Sequence, residues 1–132
     1  MFFKKIMIIV NPRAGMGRGE KLLKEIEKWR DKITRKLEIE VVVELTERFG
    51  ERNAMNLAKK AVQEKYDLVI VVGGDGTINE VVNGLVDSSI PIGIVSAGSG
   101  NDFTKSFRIP NDVEMALNGA FFGKVETVDL GK

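Results

Sequence analysis

Asp75 stands among glycines in the run Val69-Ile70-Val71-Val72-Gly73-Gly74-Asp75-Gly76-Thr77-Ile78-Asn79-Glu80-Val81-Val82. The four residues before Gly73 are β-branched and read as a fully buried strand. Three glycines within four positions break that strand. Ile78, Val81, Val82 and Leu85 then recur at helical spacing. The segment is therefore a strand, a Gly-rich turn and a helix, with an acid held in the turn. Such a turn leaves backbone N–H groups free at the helix start, where they can hold phosphate. The missing side chains let a ligand approach the main chain closely.

Composition narrows the chemistry. The chain has 132 residues, one domain of ordinary size, with 43% apolar and 30% charged residues, as in a soluble globular protein. Its net charge of +1 provides no strong field for nucleic acid or an anionic membrane. It contains no cysteine, which excludes disulfides, thiolate catalysis and Cys metal sites. It contains no histidine either, which removes Ser-His and Cys-His nucleophile systems and imidazole ligands. Acid–base work falls to Asp, Glu, Lys or Tyr, and a metal would be a hard, oxygen-liking ion. No signal peptide or membrane-spanning run is evident, so a cytoplasmic protein is expected.

The elements that must position Asp75 alternate along the chain. Strands are expected over 6–10, 39–45, 68–72, 91–95 and 125–130. Leu22, Leu23, Ile26, Trp29 and Ile33 mark one face of a long helix. A second helix is expected over 53–64, with Ala54, Leu57, Ala58, Ala61 and Val62 inward. Pro110-Asn111-Asp112-Val113-Glu114 reads as the start of a last helix, with Asn111 as cap and Glu114 closing a capping box. Strands separated by helices imply a Rossmann-like α/β fold, a parallel sheet with helices on both faces. Ligands of such sheets gather at the carboxyl ends of the strands. Loops 11–19, 73–77 and 96–102, rich in Gly, Asn, Asp, Ser or Thr, all fall there, and so does Thr46.

Other motifs are absent or incomplete. The loop after the first strand is not G-x-G-x-x-G, and no G-x-x-x-x-G-K-[ST] occurs. Gly98-Ser99-Gly100 lacks the first glycine of a nucleophile elbow, and no histidine is present to activate the serine. Trp29, Met55, Met115 and most phenylalanines read as core, and the lysines and glutamates of 20–36 as a solvated helix face.

Gly73-Gly74-Asp75-Gly76-Thr77-Ile78-Asn79-Glu80-Val81 resembles the signature of the diacylglycerol kinase catalytic domain family. That family includes bacterial lipid kinases and sphingosine kinases and is distantly related to NAD kinases. Asn11-Pro12-Arg13-Ala14-Gly15 resembles its first-loop Asn-Pro-x-x-Gly, and Thr46 its threonine after the second strand. Gly98-Ser99-Gly100-Asn101-Asp102-Phe103 is similar to its Gly-Thr-Gly-Asn-Asp-Phe block, with Ser99 in place of threonine. Asn53 stands where a histidine is frequent, and Val128-Asp129-Leu130-Gly131 resembles the approach to a second domain.

The resemblance implies an ATP-binding domain of a lipid kinase, with Mg²⁺, and transfer of the γ-phosphoryl group to a lipid hydroxyl such as that of diacylglycerol. The backbone from Gly73 to Thr77 would hold phosphates. Thr77 and Ser99 hydroxyls and the Asn11 amide would add hydrogen bonds, and Arg13 and Arg18 would offset charge. Asp75, Glu80 and Asp102 near one edge would repel ATP unless Mg²⁺ bridges them to the phosphates, with Asp75 the first choice as metal ligand and catalytic residue. The implied nucleotide site thus takes in Asn11, Pro12, Arg13, Ala14, Gly15, Thr46, Gly73, Gly74, Asp75, Gly76, Thr77, Asn79, Glu80, Ser99, Gly100, Asn101 and Asp102. Family members are about twice this long, with a β-rich lipid-binding domain beyond this point, so the chain is expected to be the nucleotide-binding half without that domain. The lipid substrate would reach it through the missing domain, with peripheral membrane contact, self-association and no nucleic acid partner. A kinase of soluble substrates of the NAD kinase type and a non-catalytic nucleotide-binding module are the alternatives.

Overall fold

A computed structural model of the chain describes residues 3–13, 19–47, 50–96 and 113–122. Strands β1 (Lys5–Val10), β2 (Glu40–Leu45), β3 (Leu68–Gly73) and β4 (Ile92–Ser96) alternate with helices α1 (Gly19–Leu37), α2 (Ala54–Gln63), α3 (Asp75–Gly84) and α4 (Val113–Phe122). All three strand pairings are parallel, in the order β2-β1-β3-β4. The Rossmann-like α/β fold expected from the alternation is therefore present. The expected strand over 125–130, and the cap at Asn111, lie outside the described residues.

β1 and β3 are apolar at almost every position because both of their faces are covered. Ile6, Ile8 and Val10 enter a core with Ile26, Trp29 and Ile33 of α1 and Leu117 and Phe121 of α4. Met7 and Ile9, on the opposite face, meet Ala54, Leu57, Ala58 and Ala61 of α2 and Ile78 and Val81 of α3. Strand side chains alternate between faces, so one continuous apolar run supplies two cores. Trp29 closes the first core edge-on to Phe121 at 5.9 Å between ring centroids, while its Nε1–H donates to Asn118 Oδ1 at 2.8 Å. The buried indole thus keeps a partner for its one polar atom.

Two differences from the expected elements have local causes. β3 runs on through Gly73 because that residue pairs with Ser96 of β4. Val62, expected to face inward, is 37% exposed. The buried stripe of α2 is Ala54, Leu57, Ala58 and Ala61, and Val62 lies about a quarter-turn to its side.

Helix ends are set by named contacts. Asn53 caps α2, its Oδ1 accepting from Asn56 N–H at 2.8 Å. The helix closes in a Schellman pattern, with Tyr66 N–H donating to Ala61 O and Lys65 N–H to Val62 O. That geometry places Lys65 at φ +59°, a left-handed position filled here without glycine. No described helix is long and apolar enough to cross a membrane.

α2 and α3 approach closely because Gly84 has no side chain. A Cβ there would lie 2.6 Å from both Ala58 Cβ and the Met55 carbonyl oxygen. Neither neighbour is the flexible end of a side chain, so the helices would have to part. Gly84→Ala is therefore expected to destabilise the fold by about 1–3 kcal/mol, the usual cost of overpacking. Urea unfolding would read this as a lower midpoint at unchanged slope.

Candidate functional site

β1 and β3 lie side by side, yet the chain leaves them toward opposite faces. β1 leads to α1 in one core, and β3 leads to α3 in the other. Adjacent parallel strands with diverging connections open a crevice at their carboxyl ends. Asn11, the first residue after β1, sits at that point.

Asn11 is held on three sides. Its N–H donates to the Val72 carbonyl at 3.0 Å, extending the β1–β3 ladder past the end of β1. Its Oδ1 accepts from Arg13 N–H at 2.9 Å, which folds the chain back in an Asx turn. Its Nδ2 donates to Thr77 Oγ1 in α3 at 3.0 Å. On the other side of β1, Thr46 N–H donates to Val10 O at 2.9 Å. The Thr46 hydroxyl is buried and lies 3.5 Å from Arg13 Nη2, a long contact that draws the guanidinium toward β2. The sequence elements after β1, β2 and β3 are thus brought to one edge and joined there.

The glycines of the turn have different jobs. A Cβ on Gly73 would lie 2.9 Å from Thr77 Cβ and 3.1 Å from its Oγ1, so this glycine makes room for Thr77. A Cβ on Gly76 would meet nothing within 4 Å. The protein itself leaves that space open. Gly74, in extended conformation, precedes the helix, and no side chain caps the α3 N-terminus. The first N–H groups of a helix lack intrahelical partners. Those of α3 therefore face the crevice edge with a positive helix end behind them.

α2 presents a contrast. Besides Asn53, the Glu80 carboxylate of α3 serves its N-terminus, Oε1 accepting from Ala54 N–H at 3.2 Å. Glu80 lies more than one helical turn from the start of α3, and its carboxylate is directed to α2 rather than to the Gly-rich turn. Asp75 occupies the first position of α3 and is exposed, as is Asn79. Pro12 is half-buried in the turn after β1. Among the described residues no three acids gather as a metal cage. Ala14, Gly15, Arg18, Ser99, Gly100, Asn101 and Asp102 lie outside the described residues.

Sequence reading passed over Glu44, one residue from the end of β2. It is only 9% exposed and is paired with Arg52 and with Lys60 Nζ, the latter at 3.0 Å. Burial alone would raise its pKa, but the hydrogen bonds and charges of Lys60 and Arg52 outweigh that and hold the carboxyl below its ordinary value. The only sequence signal was an acid near the end of a largely apolar strand, with basic residues further along the chain. Its charge is already matched within the fold, whereas Asp75 is exposed at the head of α3.

The family model for the diacylglycerol kinase catalytic domain matches residues 5–132. A diacylglycerol kinase of Staphylococcus aureus (strain bovine RF122 / ET3-1) is 37% identical over 131 residues, covering 98% of this chain and 40% of that protein. A diacylglycerol kinase of Staphylococcus carnosus is 34% identical, over 98% of this chain and 41% of its own length. The crystal structure of a diacylglycerol kinase from Bacillus anthracis superposes with a TM-score of 0.67 at 30% identity, over 88% of this chain and 39% of that one. The chain therefore spans about two fifths of the length of the curated relatives it matches.

The Glu44 cluster makes stability depend on acid. A carboxyl whose folded pKa is depressed contributes stability above its unfolded value and loses it as pH falls through the folded value. Stability is thus expected to drop as pH falls below about 4.5. Glu44→Gln should lower stability at neutral pH and flatten that acid limb, as read by urea unfolding across pH 3–7.

Proposed function

The chain belongs to the diacylglycerol kinase catalytic domain family, and on that footing we propose that it forms the ATP-binding part of a lipid kinase. The reaction is transfer of the γ-phosphoryl group of ATP to a hydroxyl of a lipid such as diacylglycerol. The observation that carries this reading is the open N-terminus of α3 at the β1–β3 crevice, uncapped by side chains and with free space over Gly76. A polyphosphate is an acceptor-only ligand of high negative charge. Backbone N–H groups at a helix start, without side chains in the way, suit it on both counts.

In this role the backbone from Gly73 to Thr77 binds phosphate oxygens, and Arg13, steadied between Asn11 and Thr46, offsets their charge. Asp75 would repel the phosphates if it faced them alone. Its carboxylate fits a Mg²⁺ that arrives on the nucleotide and keeps most of its waters, since such ions need only one or two protein carboxylates. Bound there, Mg²⁺ would supply neutralisation of the charge on the transferring group. What the chain's own residues contribute is alignment and electrostatic stabilisation, which is most of what phosphoryl transfer asks of a protein. The diacylglycerol acceptor is proposed from the names of the staphylococcal relatives.

Thermal unfolding with and without MgATP tests the site. A ligand that binds only the folded state raises the melting temperature by mass action. Millimolar MgATP is expected to raise it, and Asp75→Ala to shrink that rise. Gly76→Ala separates fold from site. It should leave the ligand-free protein as stable or up to about 1 kcal/mol more stable, because alanine suits a helix better than glycine. It should also weaken the MgATP effect by filling the space above the turn. No rise at all for the wild-type chain overturns the nucleotide reading.

A further inference from the structure

We propose that a row of lysines on the outer side of α1 is a docking surface for an anionic lipid bilayer. The surface stands apart from the nucleotide site, and the proposed lipid acceptor bears only on the choice of partner.

The balance of +1 over the whole chain hides a local excess. Residues 28–36 hold five cations, Lys28, Arg30, Lys32, Arg35 and Lys36, against the single acid Asp31. That stretch carries +4, which leaves the rest of the chain at −3. Lys24, Lys28, Lys32 and Lys36 follow one another at a spacing of four. On a helix such as α1 this spacing makes each lysine the neighbour of the next, in a row about 18 Å long. All four are exposed, and so is Arg35 beside them. Ile26, Trp29 and Ile33 take the inner side of the helix. Glu25 and Asp31 border the row, and Asp31 pairs with Arg30 at 3.8 Å.

The fold by itself gives little reason for this row. Like charges four residues apart destabilise a helix. Arg35 and Lys36 stand in the last turn, where they answer the negative end of the helix dipole. Lys24, Lys28 and Lys32 lie before that turn, and the dipole effect fades beyond it. A lone phosphate reaches about one turn of such a row. A plane of anionic headgroups meets the whole row at once, and attracts each Lys or Arg held near it. Single-stranded nucleic acid is held by cations together with exposed aromatic rings on which bases stack. Trp29, the one aromatic residue of α1, is buried. α1 leads into the amino end of β2, so the later half of the row lies away from the crevice at the carboxyl ends of β1 and β3. Docking through α1 therefore leaves the crevice uncovered.

Partitioning onto vesicles tests the surface. The chain is expected to sediment with vesicles of mixed phosphatidylglycerol and phosphatidylcholine, and to stay in solution with phosphatidylcholine alone. Added salt should release it by screening the charges. Lys28→Gln with Lys32→Gln should lower the partition coefficient about tenfold or more, a few-fold for each lysine lost at an anionic surface. Lys59→Gln with Lys65→Gln removes the same charge at α2, on the opposite face of the sheet, and should lower it about twofold at most. Loss of like-charge repulsion should leave the ligand-free Lys28/Lys32 variant melting no lower than the wild type, and its MgATP-induced rise should match the wild type's. Equal losses from the two pairs, or no binding of the wild type to the phosphatidylglycerol vesicles, overturn the proposal and leave the nucleotide reading standing. Tighter binding of the wild type to duplex DNA than to those vesicles at the same salt also overturns it, by assigning the row to nucleic acid. Loss of the MgATP rise in the Lys28/Lys32 variant overturns it by placing the row in the nucleotide site. A wild type that binds the vesicles but shows no MgATP rise supports the surface and overturns the nucleotide reading alone.

Discussion

β1 is hydrogen-bonded along both edges, to β2 on one side and β3 on the other, and no residue from Ile6 to Val10 has any exposed surface. A strand in that position cannot shift register without moving apolar side chains from one core to the other. Its end is therefore a fixed point, and everything at the crevice is measured from it. Asn11 and Thr46 are anchored by main-chain hydrogen bonds to Val72 and Val10, one on each side of β1. Asn11, Thr46 and Gly73 gain their relative places from these ladders.

Close packing carries that order outward to the helices. Gly84 lets α3 lie against α2, and Gly93 lets β4 lie against α4, where a Cβ would come within 2.8 Å of Ala120 Cβ. Gly73 admits Thr77 in the same way, at the crevice itself. These glycines serve the protein's own packing, whereas Gly76 has open space above it. The difference separates glycines that the fold's own packing requires from one that this packing does not.

Charge is distributed by the same logic. Glu44 is buried and answered by two cations, Glu80 is turned to the start of α2, and Asp67 accepts from the N–H groups of Lys4 and Lys5 at the opposite end of the sheet. Each of these acids meets a donor of the fold. Asp75 is exposed at the head of an uncapped helix. An acid in that place gains from the helix dipole, yet it also stands where an anion is proposed to bind. A divalent cation between them would remove the conflict.

Much of this was legible along the chain. Apolar runs marked the strands, the stripe on α1 and α2 marked their inward sides, and Asn53 marked a helix start, because each depends on neighbours a few residues away. Val62 and Glu80 were harder, since a side chain at the flank of a helix is buried or exposed, capping or idle, according to what packs beside it. Glu44 was missed for the same reason: its partners Arg52 and Lys60 reach it only after α2 folds back on β2. The sequence by itself determined the alternation of strands and helices, the Gly-rich turn with its acid, and the kinship of the chain. Only the tertiary structure decided that Asn11 meets Thr77 across 66 residues of chain, and which way the hydrogen bond between them points. Local sequence governs backbone conformation, but the direction of a side-chain hydrogen bond depends on the third group, here Arg13 N–H, that claims the other end of the amide.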